Sequence, residues 1–192
     1  MSPTNGRASS PMPPCARCAA TLGRSCCEAA EDEPLATLTQ ADVARIQAAT
    51  HRPRGAFVVE EVLLEAEARE YEARRPAWRG YFRRGTVRLT LAKKAGACVF
   101  HDRLSGCCLA ADVRPTACLL YPFEPAEAGW TLAVERGGAV AEAQVAREAR
   151  CLAVEEANGQ RALLRAFGMT LASLQAFADR LRLEVRAHGE GV

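Results

Sequence analysis

The chain is poor in histidine, with three among 192 residues, and in aromatics, at 6%. No stretch approaches the roughly 18 uninterrupted apolar residues that a membrane-spanning helix needs. The opening residues, MSPTNGRASSPMPP, hold no apolar run that could form a signal-peptide core. These absences predict a cytoplasmic protein with no membrane partner. An excess of charge is missing too: a net charge of +2 is too close to neutral for the molecule as a whole to bind a polyanion. There is no Ser-His-Asp order, no glycine-rich phosphate loop and no His-Glu-x-x-His helix, so no hydrolase is indicated and no catalytic residue is assigned.

What the chain does have is cysteine. Eight of its nine cysteines fall in two short blocks, Cys15, Cys18, Cys26 and Cys27, then Cys98, Cys107, Cys108 and Cys118. A reducing compartment keeps thiols free, so thiols gathered this tightly point to ligands or catalysts rather than disulfides. Two cysteines separated by two residues can turn both sulfurs to one ion, which makes residues 15–27 a candidate metal loop. Neighbouring residues send their side chains in different directions. Cys26 and Cys27 therefore serve two adjacent sites, or one of them is packing, and the same holds for Cys107 and Cys108. Eight thiolates suffice for two tetrahedral zinc sites or two iron–sulfur clusters, and four for one. His101 makes a Cys-x-x-His spacing with Cys98, and Cys151 lies alone on a helical pattern. A reversible thiol–disulfide switch built on the vicinal pairs is a further alternative.

The remaining sequence organises around these blocks. Residues 1–14, rich in proline and small polar residues, read as a disordered tail. Residues 15–157 form the cysteine-cluster domain, and residues 158–192 supply C-terminal helices packed on it. Thr39 and Asp42 predict a capped helix with Val43 and Ile46 inward. Residues 57–74 carry a helical period, with Val59, Val62, Leu63 and Ala66 on one face and glutamates opposite. From Arg74 to Lys94 the chain is basic, with Trp78, Tyr81 and Phe82 interleaved. That mixture can hold nucleic acid or another anionic ligand, although the acidic helix before it can neutralise it within the molecule. Residues 86–92 alternate as a strand, 93–96 turn, and 98–100 return. A short helix from Pro115 to about Tyr121, a strand over 130–136, and helices over 139–157, 160–167 and 171–187 complete the reading. The expected fold is a single α+β domain, mainly helical, with a small antiparallel sheet, organised around a cysteine-ligated metal site.

Taken together, Cys15-x-x-Cys18, Cys26-Cys27, the LTQADVARI stretch, Cys98-Val99-Phe100, Cys108 followed by Arg114-Pro115 and Cys118, and Tyr121-Pro122-Phe123 resemble the YkgJ-type cysteine-cluster family of zinc- or iron-chelating domains. The likeness spans residues 15–123, and its combination is more specific than any single piece. It implies metal chelation by Cys15, Cys18, Cys26, Cys27, Cys98, Cys108 and Cys118, with Cys107 as the extra thiol and Cys151 as a looser match to a late cysteine. The cofactor implied is an iron–sulfur cluster or Zn2+. Under either, the Arg114 guanidinium offsets the negative charge of the thiolates. An iron–sulfur protein with a redox or enzyme-associated role, working with an unidentified protein partner, is the first expectation. A zinc-stabilised interaction module without catalytic activity is the alternative.

Overall fold

The computed structural model describes residues 14–23, 25–31, 33–74, 83–126, 129–132 and 151–189, so the expected tail lies outside it up to residue 13. Pro14 opens α1 (Pro14–Leu22), where its fixed φ and missing N–H cost nothing. Cys15 and Cys18 therefore stand on a helix rather than on the expected metal loop. The alanines at 16, 19 and 20 favour helix strongly, and a three-residue spacing still leaves both thiols on one face.

Helix α2 (Gln40–Thr50) begins where the sequence places it. Thr39 Oγ1 accepts from Asp42 N at 2.9 Å, and Asp42 Oδ2 accepts from Thr39 N at 3.0 Å, a reciprocal capping box. Val43 and Ile46 are buried, and His51 ends the helix in the left-handed region at φ 55°.

Residues 57–74, expected as one helix, divide into a strand, β1 (Val58–Val62), and a helix, α3 (Glu65–Arg74). The β-branched Val58, Val59 and Val62 suit a pleated surface, and a partner strand outweighs the local helical period. Val59 and Val62, expected on a core face, are instead 40% and 78% exposed. β2 (Arg83–Arg84) and β3 (Val87–Leu91) complete an antiparallel sheet in the order β1-β3-β2, with Val58 opposite Leu91 and Val62 opposite Val87. Leu89 and Leu91 face the core from one side of β3.

A tight hairpin follows. β4 (Lys93–Lys94) pairs with β5 (Ala97–Cys98) across Ala95 and Gly96, whose φ values of 52° and 78° fit a two-residue turn with both residues left-handed. The turn is shorter than expected, and the returning strand stops at Cys98 instead of residue 100. β6 (His101–Asp102) and β7 (Cys107–Cys108) form a second hairpin. α4 (Thr116–Leu120) follows Pro115, and β8 (Phe123–Ala126) pairs with β9 (Gly129–Leu132). The strand expected over 130–136 is described only to Leu132, and the helix expected over 139–157 only from residue 151. Within that stretch Cys151 sits at the N-cap position of α5 (Leu152–Glu156) with extended backbone, not inside a helix. α6 (Gln160–Ala166) and α7 (Leu171–Gly189) close the described chain.

Helices with small antiparallel sheets make this an α+β fold. Two apolar clusters organise it. One joins Leu35, Leu38, Val43, Ile46, Phe57, Leu89 and Leu91 with Cys98 and Phe100. The other joins Leu120, Val154, Leu163, Leu174 and Leu181 with Cys151. Each fully buried aliphatic side chain contributes about 1.5–3 kcal/mol before the entropy of ordering is counted. Between the clusters, Asp42 Oδ1 accepts from both Thr116 N at 3.0 Å and Thr116 Oγ1 at 3.1 Å, while Arg180 donates to Thr116 Oγ1 at 3.0 Å. Arg45 pairs with Asp42 and with Glu184 of α7. This network fixes α4 between α2 and α7. Among the described residues no helix is long and apolar enough to cross a membrane.

Candidate metal centre

Backbone bonds draw the two cysteine blocks together. Cys98 N donates to Cys27 O at 2.7 Å, Ala29 N donates to Gly96 O at 3.1 Å, and Glu28 bridges to Ala97. Lys93 Nζ reaches the carbonyls of Ala30, Glu31 and Glu33 at 2.6, 2.7 and 2.6 Å, which anchors the chain just beyond Cys27. Helix α1 arrives at the same place through Gly106. A Cβ there would lie 3.0 Å from Ala16 Cα, so only glycine lets the β6–β7 turn touch the helix.

Cys27, Cys98, Cys108 and Cys118 all pack on the first apolar cluster. Their charges act on one another: Cys27 and Cys108 on Cys98, Cys27 on Cys108, and all three on Cys118. Burial pushes the Cys98 thiol up to about 11 and raises Cys108 and Cys118 as well. Next to them opens a cavity of about 230 Å³, walled by Cys15, Cys18, Cys26, Cys118 and Cys151 with Arg114 and Tyr121. Its apolar side is Leu119, Phe167, Met169 and Phe177. Hydrogen bonding to Cys26 holds Cys15 down to about 6 and lowers Cys27, while the same bonds to Cys15 and Cys27 raise Cys26.

Three thiols accept backbone N–H groups from residues just ahead of them. Phe100 N donates to Cys98 Sγ at 3.5 Å, and His101 N donates to it as well. The backbone N–H of Ala110 favours anionic sulfur at Cys108, and that of Ala153 does so at Cys151, whose carbonyl accepts from Val154 N at 2.9 Å. Such donors favour anionic sulfur.

Arg114 lies half-buried among these thiols. Burial opposes its charge, but Cys15, Cys108 and Cys118, together with a hydrogen bond to Cys108, hold its pKa above the usual value. Its Nε is buried without a hydrogen-bond partner, and among the described residues no carboxylate is paired with it.

The structure thus gathers Cys15, Cys18, Cys26, Cys27, Cys98, Cys108, Cys118, Cys151 and Arg114 into one region. It leaves out Cys107, whose thiol donates to Ser105 O at 3.6 Å within its own turn. The ring of His101 stands 3.4 Å from Ser25 Oγ through Nε2, with Nδ1 buried and unpartnered, so toward Cys98 the residue offers its backbone N–H. The basic segment is partly described: Arg83 pairs with Glu72 and Glu65, and Arg88 with Glu61, while Trp78, Tyr81 and Phe82 lie outside the described residues. Nothing in the spacing of Phe167, Met169 and Phe177 marks them as the cavity wall, because it reads as ordinary helix packing.

Among the described residues, no three histidine, cysteine, aspartate or glutamate side chains already stand in an arrangement that could hold an ion. All nine cysteines are free thiols. The chemistry of the donors, sulfur with backbone N–H groups and the Arg114 guanidinium beside it, is of the kind a soft metal takes, although among the described residues no three of them are yet arranged around a common point. Compared with models of protein families, with curated proteins and with solved structures, the chain matches none of them.

Proposed function

We propose that the protein is a metal-binding cysteine-cluster protein. It holds an iron–sulfur cluster on thiolates drawn from Cys15, Cys18, Cys26, Cys27, Cys98, Cys108, Cys118 and Cys151, and acts in electron transfer or beside an enzyme's reaction. The observation that carries this reading is Arg114. A half-buried guanidinium whose charge partners among the described residues are the thiols of Cys15, Cys108 and Cys118 needs anionic sulfur to offset its desolvation, and thiolates bound to a metal would supply that charge at neutral pH. Thiolate-bound iron–sulfur clusters carry electrons at potentials set by net charge, hydrogen bonds to sulfur and solvent exposure. Here the residues' part is to hold and tune. The N–H groups of Phe100 and Ala110 and the guanidinium of Arg114 stabilise negative charge on sulfur, while Leu119, Phe167 and Phe177 limit water on the cavity side. The likeness to YkgJ-type domains supports the same reading, and a protein redox partner in a reducing compartment belongs to it.

A second reading is a zinc-stabilised interaction module. It is favoured by the turns at Cys98 and Cys108, whose N–H donors suit a single tetrahedral ion equally well. Protein purified without oxygen and assayed for iron, zinc and acid-labile sulfide separates them. Brown protein with iron and sulfide is expected. Colourless protein with stoichiometric zinc would replace the first reading with the second, and metal-free protein would defeat both.

A further inference from the structure

We infer that Cys15 and Cys26 are a modification site in their own right: a hydroperoxide-class oxidant joins them in a reversible disulfide that ties α1 to the turn at Cys26 and Cys27. This goes beyond the metal-binding reading, because it concerns the thiols without an ion and names which two of them react with each other.

Contact singles out the pair. Cys26 has two thiols in hydrogen-bonding contact, Cys15 and Cys27. Cys27 is next to it in the chain, and adjacent Cα atoms stand about 3.8 Å apart across a trans peptide, short of the roughly 4.4–6.8 Å that a disulfide spans. Cys15 carries no such restriction, since it comes from a different element, α1. It reaches Cys26 through a hydrogen bond and Cys27 through charge. Access favours the same pair: Cys26 is exposed, Cys15 is half-buried, and both wall the cavity of about 230 Å³ that a small oxidant can enter. Both sulfurs are also held in place. Gly106 against Ala16 and the Arg17–Glu156 ion pair seat α1. Ser25 N donates to Glu28 Oε2 at 2.8 Å, Cys27 N to Ser25 Oγ at 3.3 Å and Cys98 N to Cys27 O at 2.7 Å, which pins the turn. Two reactants fixed side by side react as one molecule rather than by encounter.

The chemistry balances. One thiolate attacks a peroxide oxygen and breaks the O–O bond, giving a sulfenic acid, while the departing hydroxide takes up a proton and leaves as water. The second sulfur attacks the sulfenic sulfur; the S–S bond forms, the S–O bond breaks and a second water leaves. Two electrons pass from sulfur to peroxide, and a dithiol reductant returns them by exchange. The crosslink removes Cys15 as a source of negative charge for Arg114 and withdraws two sulfurs from the thiols that would serve a metal.

The test treats the reduced full-length chain with one equivalent of hydrogen peroxide in the presence of a metal chelator. Remaining thiols are then alkylated and the peptides mapped without reduction by mass spectrometry. The expected main product is the Cys15–Cys26 crosslink, with free thiols falling from nine to seven and returning to nine after dithiothreitol. Cys27→Ser should form the same crosslink, and the wild-type map decides the matter should that variant not fold. A main product joining Cys26 to Cys27 or Cys15 to Cys18, or the absence of any disulfide, overturns the inference. Because the chelator keeps metal off the sulfurs, that failure leaves the metal-binding reading intact, and the iron, zinc and sulfide assay tests that reading alone.

Discussion

Arg114 is the residue on which most of the electrostatics turns. Replacing it by alanine removes a guanidinium that Cys15, Cys108 and Cys118 all act upon. We expect Arg114→Ala to weaken metal retention by about 10- to 100-fold, the range for groups that support ligands from behind. Arg114→Lys should recover part of the loss, since it keeps the charge but not the fork of donors. Competition against a chelator of known affinity measures this, and an unchanged affinity in the alanine variant would show that the cation is not answering sulfur. A second residue-scale expectation concerns protons. In the metal-free chain the hydrogen bond from Cys26 holds Cys15 down to about 6, so its thiolate is present above that pH and is lost as the pH falls through it. Burial pushes Cys98 up to about 11, so its thiolate appears only in strong base. Alkylation followed by peptide mass spectrometry should label Cys15 at pH 7 and spare Cys98. Equal labelling of the two at that pH would contradict the arrangement.

At the scale of elements, two contacts position the thiols. Gly106 has φ 66° and no room for a Cβ against Ala16, whose Cα is backbone and cannot yield cheaply. Gly106→Ala should cost about 1–3 kcal/mol, combining overpacking with left-handed strain, and should lower metal content by shifting α1 with Cys15 and Cys18. Denaturant unfolding and metal analysis of the same sample check it, and wild-type values in both would argue that the turn does not seat the helix. Asp42 does similar work for α4, which carries Cys118. Asp42→Ala leaves Thr116, Thr39 and Arg45 without their shared acceptor and should destabilise the fold by about 3 kcal/mol. The elements also show where sequence reasoning succeeds. The capping box at Thr39 and Asp42 and the strand at Val87–Leu91 are local signals that the structure keeps, although Thr90 is buried along with Leu89 and Leu91 so that burial does not alternate there. The apolar stripe of α7 holds at Leu174, Ala178 and Leu181 while Leu171 is 54% exposed. Val58 to Val62 misleads because its helical period is outweighed by pairing with β3, a partner about 30 residues away that no local window contains. α1 misleads in the opposite sense, since the Cys-x-x-Cys spacing that suits a metal loop also suits one face of a helix.

For the whole molecule, the candidate site was legible as a set of donors and not as a place. Clustering in the sequence singled out the eight thiols, and an Arg-Pro step singled out Arg114. The bond from Cys98 N to Cys27 O, the approach of α1 to the β6–β7 turn and the arrival of Cys151 beside Cys18 are tertiary events with no counterpart in spacing. The same arrangement makes a thermodynamic prediction. Two apolar clusters are large enough to hold the chain folded without an ion, as expected at this length. Chelation under reducing conditions should therefore lower the melting temperature while far-UV circular dichroism keeps its helical signal at 20 °C. Complete unfolding on chelation would mean that the metal, and not the two clusters, carries the fold.

On the proposed reading, sulfur alone would surround a bound metal. X-ray absorption at the edge of whichever metal the anaerobically purified protein carries is the decisive measurement. The prediction is a first shell of about four sulfurs at about 2.3 Å for zinc, or of sulfurs only for an iron–sulfur cluster. A shell dominated by nitrogen or oxygen at about 2.0–2.1 Å, as histidine or carboxylate ligands would give, would contradict it.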